Sequence, residues 1–171
     1  MWAALPARPA WPPSVDHVAR RPTISYQHQY EFACSPEQLW RAMEEADQFE
    51  SWWSWLSEFR LEGGALVPGA VLYGVVAPPL PYRIRIRVEL TECEPYRRIL
   101  ASVSGDLEGE ASLELRGSDA GSLIDVAWTV EMMQRSMRLA SRFGHPLLQW
   151  GHDMVVATTV AGFRRRLEAA N

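Results

Sequence analysis

The chain has 171 residues, of which 47% are hydrophobic and 22% are charged. These values are typical of one packed globular domain and exclude a chain that is disordered throughout. The formal net charge of −4 argues against nucleic acid as a partner, and the complete absence of lysine excludes Schiff-base and P-loop lysine chemistry.

The first 22 residues are predicted to form a Pro-rich, irregular tail ahead of one domain over residues 23–171. Five prolines in this tail cannot join a sheet ladder or a helix interior, and they interrupt any signal-peptide core. Elsewhere no apolar run reaches the roughly 18 residues of a membrane span. The two cysteines, Cys34 and Cys93, fit neither a CxxC redox motif nor a zinc site. We therefore expect a cytoplasmic protein that does not span a membrane.

Residues 24–32 alternate between apolar and polar side chains, which predicts a half-buried strand. Its apolar face carries His28 between Tyr26 and Tyr30. This histidine has two interpretations. In the first, it is a polar anchor or general base inside a cavity. In the second, it is a core histidine bonded to a neighbouring carbonyl, or a bulge in the strand reverses the face on which it lies.

A helix is expected directly after this strand. Ser35 is a good N-cap, Pro36 suits the first helical position, and Gln38 completes a capping box. The tryptophan-rich residues 49–56 follow and are expected to form a second short helix. Their indoles either form an aromatic lid over a cavity mouth or fill the junction between helices and sheet.

Residues 58–132 are predicted to form a run of about six strands, separated by glycine and proline breaks. In one of them Ile84, Ile86 and Val88 alternate with Arg85 and Arg87. Such one-sided patterning, repeated in later strands, indicates an antiparallel sheet with one face in water.

The C-terminal segment, from about residue 146 to 169, is predicted to be a helix roughly 36 Å long. A helical wheel places Trp150, Met154 and Thr158 on the inward stripe, together with two glycines. Glycines inside a helix indicate either close approach to the sheet or space for a ligand. The opposite side is expected to contact the tail or form a homodimer, and it carries Val156, Val160, Phe163 and Leu167.

The order of these elements, with the motifs FACSPEQLWRAM, ADQFESWWSWL and SLIDVAWTV, resembles the START-like polyketide cyclase/dehydrase (SRPBCC) superfamily over about residues 23–169. The resemblance implies an α+β helix-grip fold. In that fold a curved antiparallel sheet of about seven strands wraps round a long C-terminal helix, with two short helices after the first strand. It also implies a cavity between sheet and helix for lipids, polyketides or quinone-like molecules, and no shared catalytic residue.

The candidate ligand-binding residues combine the apolar strand faces, the aromatic segment and the inward helix stripe. Tyrosine hydroxyls in such a pocket can orient a carbonyl or phenol, although tyrosines at strand ends also serve structure alone. No catalytic residue is assigned. The candidates are Tyr26, His28, Tyr30, Trp53, Tyr73, Tyr82, Ile86, Trp128, Trp150, Met154 and Thr158.

Neither a metal site nor a cofactor is expected. His145 and His152 are seven residues apart, which is roughly 10 Å along a helix. His152 and Asp153 are neighbours on the predicted helix, so we expect them to point in different directions and not to act as a dyad.

Three functions follow from this sequence. The first is binding or transport of a small hydrophobic or aromatic molecule in an internal cavity. The second is an enzyme of the polyketide cyclase/aromatase type, in which tyrosine and histidine groups orient an enol or carbonyl. The third is a protein-interaction module with a closed core and a tryptophan-rich surface.

Overall fold

A computed structural model describes residues 23–169, and for residues 135–148 it describes the main chain alone. The tail predicted over residues 1–22 lies outside the described residues. The elements in chain order are β1 (Thr23–Phe32), α1 (Pro36–Glu44), a 3-10 turn (Ala46–Gln48), α2 (Phe49–Trp52), β2 (Leu56–Glu62), β3 (Val71–Val76), β4 (Ile84–Glu94), β5 (Arg98–Gly105), β6 (Leu107–Ser118), β7 (Gly121–Met132) and α3 (Arg135–Ala169).

The seven strands form one curved antiparallel sheet in the order β1-β7-β6-β5-β4-β3-β2. From β2 to β7, strands that follow one another in the chain are paired, whereas β1 pairs with the last strand. This register places Tyr26 opposite Trp128. The architecture is the α+β helix-grip fold that the sequence predicts, with two short helices after the first strand and a long helix at the end.

The start of α1 is the predicted capping box. The Ser35 hydroxyl accepts a hydrogen bond from the Gln38 main-chain N–H at 3.3 Å, and the Gln38 side chain accepts one from the Ser35 N–H at 3.0 Å. Pro36 occupies the first helical position. The inner face of α1 is then fully covered, with Leu39 and Trp40 at 0% and 1% exposure. Local sequence therefore fixes both where this helix begins and which face it buries.

The last helix begins earlier than predicted. It starts at Arg135, not near residue 146, and its 35 residues correspond to roughly 52 Å. Proline lacks an N–H and usually ends or begins a helix, which is why the prediction began at Pro146. The helix instead continues through this residue. Among the described residues, no helix combines the length and hydropathy needed to cross a membrane.

The predicted inward stripe of α3 is right for its two glycines, which are buried, but wrong for the larger side chains assigned to it. Trp150 and Met154 are 46% and 41% exposed, and Thr158 is also exposed. Apolar residues occur all round this helix, so the wheel alone could not select the buried side. The residues that the wheel assigned to the tail or to a homodimer are half-buried, and they pack against the core or line the cavity described below: Val156, Val160, Phe163 and Leu167.

Candidate functional site

A chamber of about 400 Å³ lies between the sheet and α3. All seven strands contribute side chains to its wall, because their alternate residues point to the same concave face. Helix α3 closes it with Gly151, His152 and Val155. Apart from His152, the described lining includes no acidic or basic side chain. This main chamber is therefore an almost wholly hydrocarbon space.

A second chamber of about 310 Å³ adjoins the first, under α1 and the middle of α3. It is lined by Phe32, Leu39 and further apolar side chains. Four residues line both chambers and are called the waist: Trp55, Trp128, His152 and Val155.

Six of the candidate residues line these chambers. Trp53 is 6% exposed and belongs to the main chamber, and Trp128 belongs to the waist. Tyr30 lines the second chamber. The remaining candidates found in the main chamber are Tyr73, Tyr82 and Ile86.

The two tyrosines of the main chamber, Tyr73 and Tyr82, have different surroundings. The guanidinium of Arg60 lies over the Tyr73 ring, 4.1 Å from its centroid. Burial raises the pKa of the Tyr82 phenol. Tyr82 therefore stays protonated at neutral pH and remains available as a hydrogen-bond donor.

Tyr26 and His28 do not line either chamber. Tyr26 packs behind the waist. Its ring stacks on the Trp128 ring with centroids 4.4 Å apart and meets the His152 ring edge-on with centroids 5.1 Å apart. Its hydroxyl is 2.5 Å from the Tyr30 hydroxyl, and burial, followed by this hydrogen bond, raises the Tyr26 pKa. His28 is exposed, and its strand β1 has a neighbour on one flank only among the described strands. The prediction that His28 lies inside the molecule is wrong.

Trp150, Met154 and Thr158 also lie outside the chambers, on the exposed side of α3. The residues one position later on the helix line the chambers: Gly151, which the wheel also placed inward, and Val155 and Thr159, which it did not. The two predicted glycines do mark close approach. A Cβ on Gly151 would lie 2.6 Å from the Leu80 Cδ1 atom.

His152 is the cavity residue that the sequence analysis passed over. Its Nδ1 atom is 3.1 Å from the Asp153 Oδ1 atom, so the expectation that these neighbours cannot pair is wrong. The two side chains converge although their Cα positions differ by about 100° round the helix. Only 19% of the His152 side chain is exposed, against 60% for Asp153. The pair thus links the waist to the protein surface.

Trp55 is the second important residue that the candidates omit. Its ring stacks on Trp53, with centroids 5.5 Å apart and planes 14° apart. Trp53 is itself fixed, because its Nε1 donates a 3.1 Å hydrogen bond to the Thr159 carbonyl. The tryptophan-rich segment therefore supplies both cavity wall and junction packing, and the lid over a cavity mouth stays a prediction. Trp53 and Trp55 line the cavity, while Trp52 fills the junction between Phe49 and Phe163.

The described residues contain no group of three or more histidine, cysteine, aspartate or glutamate side chains placed to hold a metal ion. The arrangement can instead enclose an apolar molecule and offer it a few polar contacts at the waist. Such a cavity, apolar with sparse polar groups, is typical of small-molecule sites.

Comparison with known proteins supports this geometry. The family model described as polyketide cyclase/dehydrase and lipid transport matches residues 23–170. No curated protein sequence matches the chain.

Solved structures share the fold at low sequence identity. A protein from Thermus thermophilus aligns with a TM-score of 0.66 and 14% identity, covering 88% of this chain and 99% of its own. Norcoclaurine synthase from Thalictrum aligns with a TM-score of 0.59 and 14% identity, covering 88% and 98%. The di-domain ARO/CYC protein StfQ of the steffimycin biosynthetic pathway aligns with a TM-score of 0.65 and 11% identity, covering 86% of this chain and 51% of its own.

Proposed function

The chain belongs to the polyketide cyclase/dehydrase and lipid transport family, and we propose that it binds a small hydrophobic or aromatic molecule between its sheet and its last helix. The observation that carries this proposal is the hydrocarbon-lined chamber of about 400 Å³. Ligand pockets commonly fall between about 300 and 1,000 Å³. The ligand would be lipid-, polyketide- or quinone-like in its apolar surface.

Packing energetics support a ligand over a void. Protein interiors are close-packed, with few empty spaces larger than a water molecule, so a hydrocarbon-lined space of about 400 Å³ favours an apolar occupant. The same chamber is inconsistent with the closed core of a protein-interaction module.

Within this proposal, the residues in contact with the ligand are the aromatic and aliphatic walls of the two chambers. Trp53, Tyr73 and Tyr82 would hold it in the main chamber, and Trp128 would contact it at the waist. Flat rings give large contact areas at a small entropic cost.

The test begins with native mass spectrometry of the purified protein, followed by denaturation and identification of any released molecule. Isothermal titration with naphthalene then tests binding directly. We expect a retained apolar molecule or micromolar binding of naphthalene at one site per chain. A clean mass together with no heat of binding would contradict the proposal.

An enzyme of the cyclase/aromatase type is the second candidate, and the His152–Asp153 pair favours it. Nδ1 of His152 lies 3.1 Å from Oδ1 of Asp153, and the His152 side chain lines both chambers. An imidazole held in this way by a carboxylate can serve as the general base that removes a proton next to a ligand carbonyl.

Proton exchange of 2-tetralone in D₂O, followed by NMR, tests this second candidate. The enzyme hypothesis expects exchange above the buffer rate that is lost in His152→Phe, while tetralone binding persists. Exchange at the buffer rate in the wild-type protein would leave the carrier function alone.

A further inference from the structure

Strand β2 contains a bulge beside the main chamber. Its pairing register with β3 shifts between Ser57 and Arg60. As a result, Glu58 and Phe59 together lie opposite one residue of β3, Gly74. Glu58 has a φ of 53°, in the left-handed region that residues with a side chain rarely adopt. Bulges often re-aim a side chain next to a functional site, and such strain persists only where the surrounding structure holds it.

This bulge decides which side chains of β2 enter the main chamber. In an unbroken strand alternate residues share a face, so Leu56 would share the chamber side with Glu58 and Arg60. The bulge shifts the alternation by one residue. Phe59 therefore lines the chamber together with Leu56, whereas Glu58 and Arg60 are exposed. Two charged side chains are thus kept out of a hydrocarbon space.

Two successive residues of α2 hold this inward ring in place. The carboxylate of Glu50 accepts a hydrogen bond from the Phe59 main-chain N–H at 2.5 Å. The Phe49 ring packs on the Phe59 ring, with centroids 5.4 Å apart. On the sheet side the ring lies over Gly74, where an added Cβ would be 3.6 Å from Cδ2 of Phe59. The main chain and the ring of Phe59 are therefore both fixed by their neighbours.

We propose that Glu50 is a positioning residue that holds the bulge, and that Phe59 thereby limits the size of the ligand on this side of the main chamber. The inference rests on the proposed binding function and adds to it the residue that determines ligand size. Glu50 is exposed and is not among the residues that line the chamber, so it acts through Phe59.

Naphthalene and the larger phenanthrene test the role of Phe59 by fluorescence titration. In Phe59→Ala the lost ring leaves space beside the ligand, so the affinity for phenanthrene relative to naphthalene should rise at least about tenfold. Phe59→Leu should change this ratio in the same direction by less. Leu61→Ala is the matched control and should leave the ratio unchanged, because Leu61 lies on the same strand and packs against the core but lines neither chamber.

Amide hydrogen exchange tests the role of Glu50 without any ligand. In Glu50→Ala the Phe59 amide should exchange at least about tenfold faster, since a hydrogen bond to a charged group shifts an equilibrium by about that factor. The same variant should raise the phenanthrene-to-naphthalene ratio, as Phe59→Ala does. Glu50→Gln keeps an acceptor oxygen and should reverse most of both changes. Asp47→Ala is the matched control and should change neither, because its carboxylate carries the same charge but accepts from the Gln48 side chain.

The outcomes separate this inference from the function on which it rests. If both probes bind the wild-type protein but Phe59→Ala leaves their ratio unchanged, the size limit is refuted and the binding function stands. Phe59→Leu decides this point if the alanine variant does not fold. Equal exchange of the Phe59 amide in Glu50→Ala and the wild type refutes the positioning role. If neither probe binds the wild-type protein, the binding function and the size limit fail together.

Discussion

The indole of Trp53 lies directly against the main chain of Gly162. A Cβ added at that glycine would lie 2.5 Å from Nε1 of Trp53 and 3.2 Å from the carbonyl oxygen of Trp52. Trp53 cannot withdraw, since it is 6% exposed and its Nε1 is bonded to the Thr159 carbonyl. The glycine thus allows α3 to contact the aromatic wall of the cavity.

Replacing this glycine should destabilise the protein. Gly162→Ala gains about 1 kcal/mol of helix propensity but forces an overpacked contact that costs about 1–3 kcal/mol. We expect the melting temperature to fall by roughly 2–4 °C for each kcal/mol of net loss. Differential scanning calorimetry measures the change.

Gly151→Ala is the matched control on the same helix. The new methyl group would meet Cδ1 of Leu80, which is the tip of a flexible side chain and can turn away. This variant should be as stable as the wild type or up to about 1 kcal/mol more stable. Equal melting temperatures for the two variants would show that the Trp53 contact is not tight.

Filling one chamber at a time should reveal where the ligand lies. Val103 lines the main chamber and Val126 the second one. Phenylalanine at either position adds volume to existing space, so stability should change by less than about 1 kcal/mol. If the ligand occupies the main chamber, Val103→Phe weakens naphthalene binding at least about tenfold and Val126→Phe does not. Equal, unweakened binding in both variants would contradict an internal site.

The contact between Arg166 and Glu45 should contribute a measurable coupling energy. Nε and Nη2 of the arginine donate to the two carboxylate oxygens at 2.9 and 2.7 Å, which ties α3 to the residue that caps α1. Both side chains are about one-third exposed, so we expect a coupling of about 0.5–1 kcal/mol. A double-mutant cycle with Glu45→Gln and Arg166→Leu, measured by urea unfolding, gives this energy.

The lysine variant separates geometry from charge in that contact. Arg166→Lys keeps the positive charge but loses the bidentate hydrogen bond to the carboxylate. It should therefore retain less than half of the coupling energy measured for arginine. Arg165→Leu is the control, because Arg165 is exposed and no ion pair joins it to another described residue. Full recovery by lysine would mean that charge alone stabilises the contact.

Both cysteines should react slowly with iodoacetamide in the folded protein. Burial raises the pKa of the Cys34 thiol, and it also raises the pKa of the Cys93 thiol. The thiolate is the reactive form, so at pH 7.5 less of it is present than in an exposed cysteine. Labelling followed by mass spectrometry should show a rate that is still rising above about pH 9. Denaturant should make both sites react quickly, and complete labelling of the native protein within minutes would contradict the prediction.

Short-range patterns were sufficient to predict most of the fold. The capping box at Ser35 and Gln38 depends on residues three positions apart, and the alternation in β4 depends on residues two positions apart. Both were predicted correctly because the local chain determines them. The final helix was also predicted, although Pro146 led the prediction to begin it about three turns too late.

The cavity was harder to predict because it depends on long-range packing. The wheel could not choose between Val155 and Met154, since both are apolar and only the sheet decides which one is covered. That error of one residue also hid His152. Similarly, the alternation of β1 placed His28 with Tyr30 on one face, but could not show that β1 is an edge strand.

The pairing of β1 with β7 also has a consequence for synthesis on the ribosome. Ser25 and its β7 partner Thr129 are 104 positions apart in the chain. At about 5–20 residues per second, β1 therefore waits roughly 5–20 s for β7, its one neighbour among the described strands. During that interval Ile24, Tyr26, Tyr30 and Phe32 lack their partner, so a nascent chain that stalls before β7 presents an unpaired apolar strand to chaperones and to other nascent chains.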